Sequence, residues 1–598
     1  MSRGRLRPWN QTLLQQLVMV SRGDAAADCY FAGGRILDVY NGRLIEANLA
    51  TKGQRIAYLG EDRQMVGEST RIVDVSNKVL VPGYIEPHGH PFQLYNPATY
   101  ADGILRRGTT CSVNDDLFLF ILTTAPKLLE IVEIMAAHPV KMLWSARLDP
   151  QTTAQSAVDR FTTEAIYQLL EHPLFVQVGE LTDWPSLLSG NALMQEWMVE
   201  SARRDKRAEG HAPGASARTL GALAAAGVSC CHEAIRPEEV LSRLQTGMYA
   251  ILRHSSLRLD LPQLLQGLLA APEVAWERLM MTTDAPTPSY FNWGFTDYLI
   301  QVALEQGLEP TRAYQLVTRN PAVYHGLDNE IGGLAPGRLA DVLVLPSLHH
   351  PTPEMIWADG ELAVVRDGAS IRSLFTGINP NWPKLGLPPL SREPLRIGTQ
   401  ALQPLYSGES RVPVLELVDP VITRSRWESI DGSRLRVREQ RIEIDPDSGL
   451  CYGALIARDH SRIAHALIKG FASRLGGIAS SYTIALDLLV LGQNPADMQK
   501  ALFRMEELGG GIVLVENGQV LAELPLPVGG GMSLEDIDYV KQKTIEIEQA
   551  LARAGYPHHD LIYSLLFLTS THLPEIRLTG EGVLMVKDRR LLQPALLL

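Results

Sequence analysis

Cysteine is scarce in this chain of 598 residues, which contains only five, at positions without regular spacing. An odd and sparse set of this kind is not a disulfide framework and is typical of proteins from a reducing compartment. The adjacent Cys230 and Cys231 end an apolar run, so we interpret both as small buried strand residues rather than metal ligands. The cysteine content therefore predicts a cytoplasmic protein.

Positive charge and long apolar segments are lacking as well. The formal net charge is −12 at pH 7, which argues against nucleic acid and against an anionic membrane surface as partners. Residues 1–22 mix four arginines with scattered leucines and contain no unbroken apolar segment before a cleavage site, so no signal peptide is predicted. No uncharged apolar run reaches the length of a membrane span. The absences argue against nucleic-acid and membrane functions.

The apolar patterning changes along the chain and predicts several domains. A short amphipathic helix comes first, predicted from apolar residues at helical spacing, namely Leu13, Leu14, Leu17 and Val18. Short β-type segments separated by turn residues follow up to residue 81. Over residues 82–329, apolar strand-like runs alternate with longer helical patterns, which is typical of a (β/α)8 barrel. Prolines between residues 380 and 389 mark a linker to the remaining chain.

The segment Val81–His90 contains two histidines separated by one residue, directly after a buried apolar run. Because residues alternate sides along an extended segment, His88 and His90 are expected to point the same way. Two imidazoles on one face at a strand end suit a divalent transition metal, which prefers nitrogen donors of this kind. The pair alone is weak evidence, since two surface or hydrogen-bonded histidines give the same pattern.

Further polar residues follow later apolar runs, where barrel strands are predicted to end. Barrel enzymes place their chemistry at these C-terminal strand ends. Each residue alone is as readily structural as functional. Together with His88 and His90 they make four histidines and three carboxylates, enough for two divalent ions, a water-bearing position and one carboxylate for proton transfer. The additional residues are Glu180, His211, His232, Glu233 and Asp284.

The order of these motifs resembles the adenine deaminase family, a binuclear branch of the amidohydrolase superfamily. Pro-Gly-Tyr-Ile-Glu-Pro-His-Gly-His resembles the first barrel strand of that superfamily. Gly-His-Ala-Pro-Gly, Ala-Ala-Gly-Val, His-Glu and Thr-Thr-Asp then follow in the family's order. Arg253 and His254 lie in a segment similar to the family's Ile-Arg-Glu-Gly-Ser. The resemblance continues to the C-terminus through three more matches: Glu506–Gly511, Leu524–Pro527 and Gly531–Ser533.

The resemblance implies an α/β fold built from four regions. The segment Gly332–Leu345 is similar to the strand with which amidohydrolases return to complete an N-terminal β-sandwich. The expected regions are an N-terminal helix and first part of the β-sandwich at 1–81, a metal-dependent TIM-like barrel at 82–329, the second part of the sandwich with a linker at 330–394, and a C-terminal adenine-deaminase-like α+β domain at 395–598. A homo-oligomer is also implied.

The resemblance further implies the reaction: hydrolytic loss of ammonia from adenine or a related amino-substituted heterocycle, by attack of a metal-bound hydroxide. Asp284 would accept the hydroxide proton, and Glu233 would carry a proton to the ring nitrogen and the leaving amine. Arg253 and His254 would contact the small-molecule substrate. Manganese or iron is the expected metal, with zinc as the alternative. The implied ligands of the two ions are His88, His90, Glu180, His211, His232 and Asp284.

One C-terminal segment departs from the family pattern. The family's Ala-His-Asp-Ser-His-Asn corresponds to the start of Ala479–Val490, which contains neither histidine. Because a pocket built to hydrogen-bond one heterocycle discriminates strongly against another, this loss leaves the choice between adenine and a related amino-substituted heterocycle open.

Two alternatives to a deaminase stay open. The first is an amidohydrolase of another type, such as one that opens cyclic amides. A lysine placed for carbamylation would favour it, but Glu180 takes the expected bridging position and Lys141 lies in mid-strand. The second is a non-enzymatic binding or assembly protein, against which the complete ligand set argues.

Overall fold

The computed structural model describes residues 6–368, 370–375, 377–390, 395–430 and 432–598. Residues 1–5, part of the segment in which no signal peptide is predicted, lie outside these ranges. No helix within the described ranges is both long and apolar enough to cross a membrane. All five cysteines are buried free thiols.

The predicted N-terminal helix is present as α1 (Gln11–Ser21), but its buried face differs from the predicted one. Leu17 and Val20 are buried, whereas Leu14 and Val18 are exposed. Positions three apart share one side of a helix, so Leu17 and Val20 together face the first sheet. The apolar residues on the neighbouring side remain in solvent.

Two antiparallel-rich sheets pack on each other beside the barrel. Their strands are β1 (Cys29–Ala32), β2 (Arg35–Asp38), β3 (Arg43–Glu46), β4 (Asn48–Lys52), β5 (Arg55–Gly60), β6 (Arg71–Asp74) and β7 (Val79–Pro82) before the barrel. After the barrel come β17 (Val342–Leu345), β18 (Met355–Ala358), β19 (Glu361–Asp367) and β20 (Ser370–Ser373). One sheet has the order β5-β4-β1-β6 and the other β20-β19-β18-β17-β7-β2-β3. Phe31 and Trp357 meet in the core between them, with ring centroids 4.8 Å apart. The returning strand β17 thus pairs with β7, which leads directly into the barrel.

Eight parallel strands form a nearly closed barrel in the order β16-β15-β14-β13-β12-β11-β10-β8. They are β8 (Tyr84–Gly89), β10 (Thr109–Asp115), β11 (Lys141–Ala146), β12 (Phe175–Leu181), β13 (Arg207–Gly210), β14 (Cys230–Cys231), β15 (Tyr249–Arg253) and β16 (Leu279–Thr282), with β9 (Leu94–Tyr95) in the first connection. The helices are α2 (Pro97–Leu105), α3 (Leu117–Leu122), α4 (Ala125–Met135), α5 (Gln155–Val158), α6 (Thr163–Glu171), α7 (Trp184–Leu188), α8 (Ala192–Arg203), α9 (Ala217–Ala225), α10 (Pro237–Gln245), α11 (Leu261–Ala270), α12 (Thr296–Glu305), α13 (Pro310–Gln315) and α14 (Arg319–Tyr324). The predicted α/β barrel is confirmed.

The seam between β8 and β16 is joined by the buried carboxylate of Glu86. It accepts hydrogen bonds from the Thr283 amide at 3.0 Å, the Thr283 hydroxyl at 2.8 Å and the Thr282 hydroxyl. It also accepts one from the His88 amide at 3.2 Å. Burial raises the pKa of Glu86 to about 7, although these donors oppose the shift. Glu86 therefore joins the first barrel strand to the last by hydrogen bonds, close to the points where the two strands end.

Glu86→Ala is expected to destabilise the barrel by about 3–5 kcal/mol, because it leaves several buried donors without an acceptor. For a barrel of this size the thermal midpoint should fall by about 10 °C in differential scanning calorimetry. Glu86→Gln keeps an amide oxygen for the Thr283 donors, so its loss of stability should be less than half that of the alanine variant. A midpoint unchanged in the alanine variant would show that the seam does not depend on Glu86.

The C-terminal region adds a large sheet and covers the barrel face at which the strands end. Its strands are β21 (Arg411–Leu417), β22 (Thr423–Ser429), β23 (Leu435–Arg438), β24 (Arg441–Ile444), β25 (Leu450–Ile456), β26 (Arg462–Lys469), β27 (Gly477–Ser480), β28 (Leu488–Gly492), β29 (Gly511–Glu516), β30 (Gln519–Pro525), β31 (Met532–Ser533), β32 (Ile576–Thr579), β33 (Gly582–Met585), β34 (Arg590–Pro594) and β35 (Leu596–Leu597). Its helices are α15 (Pro495–Glu507), α16 (Ile537–Arg553) and α17 (Leu561–Phe567). Short β31 pairs with β9 of the barrel, and the Asn96 side chain donates to the Ser533 carbonyl at 2.7 Å. The two regions share one hydrophobic core.

Candidate metal centre and active site

Six of the predicted site residues converge at the C-terminal ends of the barrel strands. They come from β8 and the residue after it, from β12, and from the positions that follow β13, β14 and β16. Because parallel strands present these ends on one face of a barrel, residues far apart in sequence meet there. The residues are His88, His90, Glu180, His211, His232 and Asp284, and they form three overlapping groups whose ligand atoms lie within 4.8 Å of one another.

One half of the cluster joins His88, His90 and Asp284. The Nε2 atoms of the two histidines are 3.1 Å apart. Asp284 Oδ1 lies 3.1 Å from His90 Nε2 and 3.2 Å from His88 Nε2. The three groups therefore direct their ligand atoms at a common point.

The other half joins Glu180, His211 and His232. Glu180 Oε2 lies 2.6 Å from His211 Nδ1 and 3.2 Å from His232 Nε2, and those two nitrogens are 3.2 Å apart. The same carboxylate oxygen is 3.9 Å from His88 Nε2 in the first half. Glu180 thus stands between the two halves, as a bridging carboxylate would.

Carboxylates also hold the opposite ring nitrogens of three histidines. Glu209 accepts from His88 Nδ1 at Oε2 and from His232 Nδ1 at Oε1, each at 2.9 Å. Asp115 Oδ2 lies 3.0 Å from His90 Nδ1. A proton held on the outer nitrogen leaves the lone pair of the inner nitrogen directed into the cluster, as in metal-binding histidines. The donor set of four imidazoles and two carboxylates therefore fits divalent transition metals.

Sequence reasoning missed Glu209, Asp115 and a buried arginine, Arg147. The Arg147 Nη1 donates to the Glu180 carbonyl at 2.7 Å and lies 3.1 Å from Glu180 Oε1. Arg147 follows the apolar run of β11, so its signal was available, whereas Glu209 and Asp115 lie in strand segments of mixed polarity that carry no such signal. Their role depends on which neighbouring strand they face, which the pattern does not reveal.

The two predicted proton-transfer residues share one arginine. Arg253 Nη1 donates to Glu233 Oε1 at 2.5 Å and to Asp284 Oδ2 at 3.0 Å, and Arg258 Nη2 lies 3.1 Å from Glu233 Oε2. Burial acts to raise the pKa of both carboxyl groups, but Arg253 together with the neighbouring histidines, and Arg258 beside Glu233, outweighs it. The pKa of Asp284 lies well below its usual range, and that of Glu233 is also lowered. Both carboxylates are therefore ionised at neutral pH.

The structure does not bring His254, predicted to contact substrate, to the cluster. Its ring lies 5.7 Å from that of Tyr298 on α12, and its carbonyl accepts a bond from Tyr290. Since neighbouring residues at a strand end face opposite sides, Arg253 points into the barrel and His254 points out towards the helices. Burial lowers the pKa of His254 to about 4.

Residues of the C-terminal region form a roof over the cluster. In the segment that lacks the family's histidines, Ser481 is used internally, where its hydroxyl accepts from the Gly511 amide at 2.8 Å. The next residue, Tyr482, reaches the barrel and packs edge-on against Phe118, with centroids 5.6 Å apart. The ring of His572 lies 5.8 Å from that of His211. Both regions therefore contribute side chains around the cluster.

Comparisons with known proteins agree with this arrangement. Residues 79–370 match the model of the amidohydrolase family, and residues 422–590 match that of the adenine deaminase C-terminal domain. A protein of Halalkalibacterium halodurans is 36% identical over 591 residues, 98% of this chain and 99% of that protein. One of Bacillus subtilis is 36% identical over 564 residues, 94% of each chain; both carry the name "putative adenine deaminase". An adenine deaminase of Moorella thermoacetica is 28% identical over 584 residues, 95% of this chain and 96% of that protein.

Proposed function

This chain belongs to the adenine deaminase family of the amidohydrolase superfamily, and we propose that it hydrolyses adenine to hypoxanthine and ammonia. The observation that carries the proposal is the meeting of six potential metal ligands with two ionised carboxylates and an arginine at one end of the barrel. This set combines metal sites with groups that accept and pass on protons, which deamination by water requires. The chain is accordingly a hydrolase of carbon–nitrogen bonds.

We assign a divalent metal to each half of the cluster, manganese or iron before zinc. His88, His90 and Asp284 would hold one ion, His211 and His232 the other, and Glu180 would lie between them. When bound, the ions supply Lewis acidity that makes water a strong nucleophile near neutral pH. Glu209 and Asp115 keep the histidines in the tautomer that can bind metal.

Asp284 is the group placed to accept the proton that the attacking water loses. Its Oδ1 faces His88 and His90, while its Oδ2 is fixed by Arg253. The low pKa keeps the carboxylate ionised and ready before the reaction. A general base within hydrogen-bond reach of the nucleophile supplies a large part of such a rate enhancement.

Glu233 is proposed to pass this proton to the ring nitrogen and the leaving amine. Its Oε1 lies 3.4 Å from His232 Nε2, so it borders the cluster. Its pairing with Arg253 and Arg258 favours the ionised form. Glu233 therefore begins the reaction without a proton and passes on the one that it receives from the attacking water. Water thus loses both protons: the first reaches the ring nitrogen as the carbon–oxygen bond forms. The second, from the hydroxyl now on the carbon, reaches the amine, which leaves as ammonia when the carbon–nitrogen bond breaks.

Nothing in the described residues favours the amide-opening alternative. Lys141, the lysine considered for carbamylation, was expected in mid-strand but is the first residue of β11, at the end of the strand opposite the cluster. It forms buried ion pairs with Asp341 at 2.5 Å and Asp359 at 3.0 Å. Glu180 stands at the bridging position instead.

Ammonia release by the manganese-loaded protein tests the function on aminopurines, aminopteridines and aminopyrimidines. Adenine should be hydrolysed, and His88→Ala should abolish the activity together with metal bound in that half of the cluster. His350→Ala is the matched control, since His350 is exposed and bonds to Ser347 at 2.9 Å. A metal-loaded protein that releases ammonia from none of these amines would contradict a deaminase and favour amide hydrolysis.

A further inference from the structure

A hydrogen-bond chain connects the C-terminal region to the barrel beside the cluster. Gln93, three residues after His90, lies between two tyrosines that are distant in sequence. The Tyr482 hydroxyl donates to Gln93 Oε1, and Gln93 Nε2 donates to the Tyr563 hydroxyl oxygen at 3.1 Å. All three side chains are buried.

The chain has one direction, which leaves a donor at its end. A side-chain amide oxygen only accepts and its nitrogen only donates, so protons point from Tyr482 through Gln93 to Tyr563. The hydroxyl oxygen of Tyr563 is thereby an acceptor, and its own proton has no protein acceptor among the residues that the structure describes. Since hydrogen bonds in series polarise one another in a low-dielectric interior, this terminal O–H is a strengthened donor.

Tyr563, on α17, is joined through Gln93 to the segment that directly follows His90. Burial raises the pKa of Tyr563 well above its ordinary value, and the charges of Asp284 and Arg253 are near enough to act on it. The hydroxyl is therefore protonated throughout the neutral range. A protonated hydroxyl offers a substrate a hydrogen-bond donor on the side opposite the barrel floor.

A series of aromatic rings connects Tyr482 of the roof to His90 of the cluster. Phe92 stacks on Phe118 with centroids 4.7 Å apart, and the Phe92 ring lies 5.6 Å from that of His90. Aromatic walls favour a planar heterocycle lying against them. The edge of such a ring carries unprotonated nitrogens, which accept hydrogen bonds, and the amino group, which donates.

We propose that Tyr563 is a specificity-determining residue that donates a hydrogen bond to an unprotonated ring nitrogen of the substrate, with Tyr482 and Gln93 positioning it. The inference rests on the proposed function and narrows the substrate to amino-substituted aromatic heterocycles that present such a nitrogen towards the C-terminal roof. It also explains how a segment without the family's two histidines still contributes to the site, because Tyr482 acts from there through Gln93.

The test pairs Tyr563→Phe with adenine analogues in which the ring nitrogen at position 3 or 7 is replaced by C–H. Position 1 is left out, because the nitrogen beside the amine accepts the transferred proton in the proposed reaction. If the protein hydrolyses adenine, kcat/KM is compared between adenine and each analogue. If it does not, the Kd of each compound is measured instead, by calorimetry with the metal-loaded protein. For the wild type, one analogue should be about tenfold poorer than adenine, the value of one lost hydrogen bond. Tyr563→Phe should lower kcat/KM, or the affinity, for adenine to the value measured for that analogue. For the analogue itself the value should change by no more than about twofold, because the contact is already missing.

Tyr556→Phe controls for effects on α17, since the Tyr556 hydroxyl bonds to the Asp560 carbonyl at 2.8 Å and to Ser564 without reaching the cluster. It should leave the preference among the analogues unchanged. Equal losses for adenine and every analogue in Tyr563→Phe would overturn the inference while adenine hydrolysis stands. If Tyr563→Phe binds adenine more weakly but the analogue unchanged, and no ammonia is released, the inference is supported and the proposed function is overturned. Adenine that is neither bound nor hydrolysed would overturn both.

Discussion

Asp284→Asn is expected to lower kcat for ammonia release about 10³- to 10⁴-fold, because the asparagine amide cannot accept the proton that the attacking water loses. Asp284 Oδ1 faces both Nε2 atoms of the first histidine pair, so no other described carboxylate takes its place there. Asparagine keeps an oxygen of the same geometry. The measurement is the initial rate of ammonia release at saturating manganese, with bound metal determined on the same samples.

The backbone makes asparagine the informative substitution at this position. Asp284 has a φ of 57°, in the left-handed region that asparagine and aspartate tolerate better than other side chains. Asp205→Asn is the matched control, because exposed Asp205 has a φ of 53° and lies in a turn after α8. Its kcat should equal that of the wild type. If Asp284→Asn binds metal and its kcat stays within tenfold of wild type, Asp284 is not the general base.

Glu209→Gln should weaken manganese binding about 100-fold, at the upper end of what outer contacts to metal-binding histidines contribute. Glu209 uses one oxygen for His88 and the other for His232, at 2.9 Å each. A glutamine amide keeps only one of these acceptors and presents N–H groups to the other histidine. That histidine must then change tautomer, which places a proton where the metal would bind.

The measurement is the manganese dependence of ammonia release together with a direct metal titration. Gln177→Met is the control, since Gln177 Nε2 donates to Glu209 Oε2 at 2.8 Å without touching either histidine. Loss of that bond leaves both contacts between Glu209 and the histidines in place, so manganese affinity should change by about fivefold or less, corresponding to roughly 1 kcal/mol. Activity of Glu209→Gln should return at high manganese. Equal manganese affinities in wild type and Glu209→Gln would show that the outer carboxylate does not prepare these ligands.

Much of the molecule was predictable because its signals are local. The run before Pro82 and the alternation of His88 with His90 specify a strand and the side that both imidazoles face. The same local signal, an apolar run followed by a polar residue, marks Glu180 and Asp284. The predicted family and the α/β barrel are confirmed.

The contacts that tune these residues were not predictable in the same way. Arg253 was expected to contact substrate, and that contact stays a prediction; the position of its guanidinium between Glu233 and Asp284 was not foreseen. Which carboxylates an arginine meets depends on the stagger of neighbouring barrel strands, and the periodicity of a single strand does not contain that information. The exposed side of α1 was misjudged for the same reason, since the position of the sheet selects the buried side.

The sequence by itself determined the alternation of strands and helices in the barrel and the six candidate ligands, because each of these signals depends on residues close together in the chain. Tertiary structure alone decided that Glu209 serves two histidines, and that Gln93 meets Tyr482 and Tyr563 across 389 and 470 residues of chain. Such pairs form only when two regions pack on one shared core. The physical reason is that a hydrogen bond requires its partners within about 3 Å, whereas sequence patterns constrain distances only along one helix or strand.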